Sequence, residues 1–225
     1  IDALIKEQQF ENAKQVLEQA KKQDVAEEKL NVLEAQLASI NKQETVVSLS
    51  PSQEQLSNLL ECYQNGRLDD AEKLAVSVTQ EFPQHPFGWK VLGAVLGQTG
   101  RNTEAVVANQ TAVALSPQDA EAHNNLGNTF QELGKLEEAD ASCRQAITLK
   151  PNFAEAHYNL GNTFRALGRL EEAEDSYRQA IANNPKMGDA YLGLSEILRQ
   201  FGKLKESSDL QIKGLELTSF EIASN

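Results

Sequence analysis

The chain has 225 residues, 40% of them hydrophobic, with 33 acidic against 21 basic side chains and a formal net charge of -12. That length and apolar fraction suit a folded soluble protein, while the negative balance opposes binding of nucleic acid through its phosphates and of an acidic membrane surface. No apolar run approaches the roughly 20 residues of a membrane-spanning helix, the N-terminus lacks a secretory signal, and Cys62 and Cys143 are too few for a disulfide framework or a metal knuckle. A cytoplasmic location is therefore expected, and the start at Ile1 suggests that upstream sequence has been removed.

The first 50 residues read as a degenerate helical repeat or cap. Phe10, Ala13, Val16, Leu17 and Ala20 fall at helical spacing, and Leu30, Leu33, Leu37 and Ile40 make a 3-4-3 stripe on a further helix. That stripe suits either an N-terminal cap on a helical stack or a short homodimer seam, although it spans less than two heptads. Residues 43–51, QETVVSLSP, have the composition of a linker.

From there the chain keeps a period of 34: Gly66, Gly100, Gly134, Gly168 and Gly202, with Pro83, Pro117, Pro151 and Pro185, and with Ala71, Ala105, Ala139 and Ala173. Residues 120–153 and 154–187 agree at 22 of 34 positions, which chance does not produce. Within one unit, Ala122, Leu126, Phe130 and Leu133 form one apolar stripe, and Gly134 ends that helix in a left-handed cap. Leu136, Ala139, Cys143, Ala146 and Ile147 form a second stripe, which Pro151 ends. Gly127 and Gly161 lie mid-helix, where glycine costs about 1 kcal/mol relative to alanine, so each is expected to permit close approach of two helix backbones. Repetition at this period predicts an all-α solenoid of stacked antiparallel helix pairs.

The pattern of Trp89 or its substitutes His123, His157 and Tyr191, then Leu-Gly, an aromatic, Gly, Ala, an aromatic, Ala and Pro resembles the tetratricopeptide repeat. The resemblance implies a right-handed α-solenoid over 51–221, in units 52–85, 86–119, 120–153 and 154–187 with a weaker fifth at 188–221, followed by a tail at 222–225. The first unit fits only if its turn is one residue shorter than usual. The fifth carries Ser195, Ser207 and Gly214 at small or apolar positions and Ser219 in place of proline, so its last helix is expected to fray or to pack on something further.

No phosphate-cradling loop, nucleophile elbow or zinc-protease motif is present. The acidic pairs Asp69-Asp70, Glu137-Glu138 and Glu171-Glu172 stand at helix starts, where the dipole favours them. A repeat also spreads its polar residues along an axis instead of converging them on one point, so neither enzyme activity nor a cofactor or metal is expected. His123 and His157 are expected to fill gaps between helices.

What remains is a set of asparagines. Asn125 and Asn128, and their copies Asn159 and Asn162, share a helix face that differs from the stripe of Leu126 and Phe130. In tetratricopeptide folds the first helices line a concave groove, and the resemblance places these four there. Asn124 and Tyr158 fall at its margin, with Gln131, Arg165 and Lys90 further along. An amide side chain both donates and accepts, which suits an extended peptide backbone. The phrase AHNNLGNTF, repeated as AHYNLGNTF, looks similar to the repeats of O-linked N-acetylglucosamine transferases, whose asparagine ladder grips polypeptide. A carboxylate-clamp groove fits less well: Lys90 and Asn125 match its pattern, whereas Ala94, Glu155 and Asn159 do not. The expectation is a protein-interaction module for a protein or extended peptide. The alternatives are the substrate-recruiting region of a larger transferase and a self-associating scaffold.

Overall fold

The computed structural model describes residues 50–224. The helices proposed before residue 50, their seam, and all but the last two residues of the 43–51 linker lie outside the described residues. Among the described residues are ten α-helices and no strand: α1 (Gln53–Gln64), α2 (Leu68–Glu81), α3 (Pro86–Gln98), α4 (Asn102–Leu115), α5 (Ala120–Glu132), α6 (Leu136–Leu149), α7 (Ala154–Ala166), α8 (Leu170–Asn183), α9 (Gly188–Gln200) and α10 (Leu204–Ser224). Helices pair in order, α1 with α2 through α9 with α10, and each second helix packs on the first helix of the next pair. This is the α-solenoid that the period predicts.

The turns inside the pairs carry the five glycines, with φ between 68° and 75°. At Gly134 the glycine amide donates to the Gln131 carbonyl and the Lys135 amide to the Phe130 carbonyl, both at 2.9 Å, which closes the end of α5. A side chain in that left-handed conformation would cost roughly 1–2 kcal/mol. The acidic pairs predicted at helix starts stand in the first turns of α2, α6 and α8.

Packing inside a pair is governed by what faces what. Ala71, Ala105, Ala139 and Ala173 are fully buried, so the paired helices can lie close. A Cβ on Gly127 would come within 2.6 Å of Cys143 Sγ and 3.4 Å of the Ala139 carbonyl oxygen, so the expected backbone approach is present there. Gly161 serves a different end. A Cβ on it would meet the Tyr177 ring at 2.8 Å, and one on Gly193 would meet the same ring at 2.7 Å. The two glycines therefore make room for an aromatic ring wedged between α7 and α9, not for backbone.

The first pair corrects an expectation. Its turn is not shortened: α1 ends two residues before Gly66, just as α3 ends two residues before Gly100. The register is kept by exchanging volumes across the pair. Leu59 takes the glycine position and Ala75 the facing large-residue position, both fully buried. At the other end, α10 runs through Ser219, since no proline stops it there. It leaves Leu204, Ile212 and Leu215 more than half exposed.

Ion pairs tie the second-helix layer together. Arg101 bonds Glu72, Arg169 reaches Asp140 and Lys203 reaches Glu174, each joining one unit to the one before. The corresponding pair, Lys135 with residue 106, is absent because that residue is Val106, which packs instead on Leu126 and Phe130.

Candidate functional site

Each first helix lies against the first helix of the next pair, α1 on α3, α3 on α5, α5 on α7 and α7 on α9, whereas no second helix comes as close to the next second helix. α1, α3, α5, α7 and α9 therefore form the more closely spaced of the two helix layers. All nine predicted site residues lie on three of these helices: Lys90 on α3; Asn124, Asn125, Asn128 and Gln131 on α5; Tyr158, Asn159, Asn162 and Arg165 on α7.

Their surroundings divide them. Asn159 Nδ2 donates to Asn124 Oδ1 at 2.9 Å, a buried bond that crosses from α7 to α5. Asn162 Oδ1 accepts from the Tyr177 hydroxyl at 2.7 Å. Burial raises the Tyr177 phenol above its ordinary range, which keeps this donor protonated. Gln131 accepts a long 3.5 Å bond from Thr163, and the Tyr158 ring lies tilted on Tyr177 with centroids 5.9 Å apart. These residues are engaged in holding α5, α7 and α8 together.

Lys90 is also committed. Its ammonium lies 3.0 Å from Asp119 and 2.9 Å from Glu121, so it fastens α3 to the start of α5, where Asp119 caps the amides of Glu121 and Ala122. Partial burial pulls the Lys90 amine down, but the hydrogen bonds to Glu121 and Asp119 outweigh it and its pKa rises. Partial burial pushes the Asp119 carboxyl up, and Lys90 with the two capped amides brings it below the ordinary value.

Asn125 and Asn128 differ. Neither side-chain amide hydrogen-bonds to another described residue; Asn128 is exposed and Asn125 half-buried. Both line an open cavity of about 330 Å³, together with Tyr63, Gly93, Ala94, Gly97, Gln98, Asn109, Thr129 and Glu132. Arg165 is exposed on α7. The predicted set therefore comprises a structural group on α5 and α7 and a free pair on α5 that faces back toward α3.

Two kinds of residue in this region were not anticipated. Asn109 on α4 is fully buried; its Nδ2 donates to Thr129 Oγ1 at 2.9 Å, while its Oδ1 accepts nothing. The signal was a swap at the 34-residue step, with Asn109, Cys143 and Tyr177 occupying one position. The other kind is the donor at the place of Trp89. Trp89, His123, His157 and Tyr191 each direct a ring N–H or hydroxyl at the carbonyl of a preceding proline: Pro83, Pro117, Pro151 and Pro185, at 2.8 to 3.2 Å. The histidines fill the gap as expected and also bond across the boundary between units. Among the described residues, no three His, Cys, Asp or Glu side chains are grouped to hold a metal ion.

Residues 120–153 and 154–187 match the tetratricopeptide repeat family, and residues 93–134 match a further description of the same repeat. No curated protein matches the sequence. Among solved structures, a thermophilic TPR protein of Thermus thermophilus is similar with a TM-score of 0.66 at 25% identity, over 76% of this chain and 93% of that one. MamA gives 0.60 at 23% identity, over 72% and 95%. Pseudomonas aeruginosa pilF gives 0.63 at 20%, over 72% and 75%. The last two likenesses concern the fold alone. The chain thus carries tetratricopeptide repeats arranged as a solenoid. No described helix is long and apolar enough to cross a membrane.

Proposed function

We propose that the tetratricopeptide repeats of this chain act as a protein-interaction scaffold that holds an extended polypeptide segment along α3, α5 and α7. One observation carries the reading: Asn125 and Asn128 keep their amide donors and acceptors unspent beside an open cavity, in a row where Lys90, Asn124, Asn159 and Asn162 are all paired. Free carboxamides on a rigid helix suit a peptide backbone, which offers a donor and an acceptor at every residue. The role is binding rather than catalysis, because the polar groups recur along the stack instead of converging.

Ordering an extended ligand opposes its capture, so affinities on the order of micromolar are expected. The test is selection of displayed random peptides on the whole chain, followed by titration of one enriched peptide. Asn125→Ala with Asn128→Ala should weaken that peptide by about tenfold or more, as the loss of two net hydrogen bonds predicts. Undiminished affinity in the folded double variant would remove the assignment.

A further inference from the structure

The cavity beside Asn125 and Asn128 has a local cause. At four positions related by the 34-residue step, α7 and α8 carry Gly161, Asn162, Arg165 and Tyr177, where α3 and α4 carry Gly93, Ala94, Gly97 and Asn109. In the later unit the Tyr177 ring fills the space against Gly161, and its hydroxyl is taken by Asn162. In the earlier unit each of the three larger side chains is cut short, and about 330 Å³ stands open. Asn109 Oδ1 lies against Gly93, where an added Cβ would come within 2.0 Å of it, and it accepts no hydrogen bond although Asn109 is fully buried. That oxygen has no accessible surface, so it belongs to the packing of α3 on α4 and is closed to the cavity.

The lining selects the charge of that ligand. Among the described residues that line it, Glu132 brings the one carboxylate, and none is a lysine, arginine or histidine. Asn125, Asn128 and Gln98 contribute carboxamides, and Tyr63 contributes its ring and a hydroxyl that accepts from Gln98 Nε2 at 3.0 Å. The chain as a whole is at -12. Several amide oxygens, one carboxylate and an aromatic ring together suit a flat cation with several N–H donors. We infer that this cavity is a side-chain pocket for arginine in the bound polypeptide. The inference rests on the groove reading above and narrows it to a ligand class.

The probe is N-acetylarginine amide, with N-acetylcitrulline amide as its neutral isostere, each titrated into the whole chain and followed by backbone amide shifts in NMR. Arginine should give saturable shifts at 93–98 and 125–132, with citrulline weaker by about tenfold because the charged contact to Glu132 is missing. Glu132→Gln, at an exposed position, should weaken arginine to the citrulline level and leave citrulline unchanged. Ala94→Asn with Asn109→Tyr and Asn125→Gly, the last copying the room that Gly193 leaves beside Tyr177, fills the cavity as in the later unit and should abolish both. Equal binding of the two probes, shifts elsewhere, no saturable shifts, or an unaffected Glu132→Gln variant would overturn the inference. These probes need no groove: selection of peptides together with failure of the arginine probe would remove the pocket and leave the groove.

Discussion

At the residue scale, the asparagines of the doubled phrase AHNNLGNTF and AHYNLGNTF do two different things, and thermodynamics should separate them. Asn159→Ala would leave the buried Asn124 oxygen without its donor, so a loss of about 1–3 kcal/mol in urea denaturation is expected. Asn125→Ala and Asn128→Ala remove amides that hydrogen-bond to no other described residue and should each stay within about 0.5 kcal/mol of the parent. The sequence could place all four on the first helices but could not sort them, because identical residues one unit apart meet different neighbours. Asn162 meets the Tyr177 hydroxyl, whereas Cys143 holds that position on the helix facing Asn128, which is left without such a partner beside the cavity opened by the short side chains of α3 and α4. A second expectation concerns that ring. Gly161→Ala should cost about 1–3 kcal/mol by overpacking, since Tyr177 is held on its other side by Gly193 and cannot retreat. Cys143, whose thiol burial pushes up to about 12, should be inert to thiol reagents in the folded chain.

Elements were read from the sequence almost throughout the repeat region, because helix ends there are set by glycine and proline, whose backbone preferences are local. The error in the first pair came from following residue types instead of positions. Leu59 looked out of register because the volumes of Leu59 and Ala75 are exchanged across the pair, which a single helix stripe cannot display. The joint between α3 and α5 was also not legible, since Lys90 and Asp119 are 29 residues apart. It gives a pH-dependent expectation. Asp119 has a depressed pKa in the folded chain, so its contribution is full above the unfolded value of about 3.9 and fades as pH falls through the folded one. Lys90 has a raised pKa, so its contribution holds below about 10.4 and fades as pH rises beyond it. Lys90→Met should therefore cost about 1 kcal/mol near neutral pH, with the gap from the parent closing as pH falls below the ordinary aspartate range and as it rises above the ordinary lysine range. Thermal unfolding monitored by circular dichroism across that range checks it.

Across the stack as a whole, contacts among the described residues run only between neighbours, so stability should be close to a sum of unit and interface terms. Ending the chain after residue 187 would strip Leu194, Ile197 and Leu198 from the cluster around Tyr177 and Phe164. The shortened chain should unfold at lower urea and over a broader range than the parent, with loss beginning at α7 and α8 in hydrogen exchange. The bonds from Trp89, His123, His157 and Tyr191 to the preceding prolines bear on how such a chain can grow. Every unit from 86 onward brings a donor at its head, and every unit up to 187 leaves a carbonyl near its tail. A copied stretch of 34 residues thus arrives with both halves of the seam it needs, whichever of the four rings it carries. Duplicating a unit whose facing residues also match therefore lengthens the stack without inventing a new junction, and inserting a second copy of 120–153 after residue 153, which sets Asn125 against Cys143 where Asn159 stood, should give a folded, more stable protein.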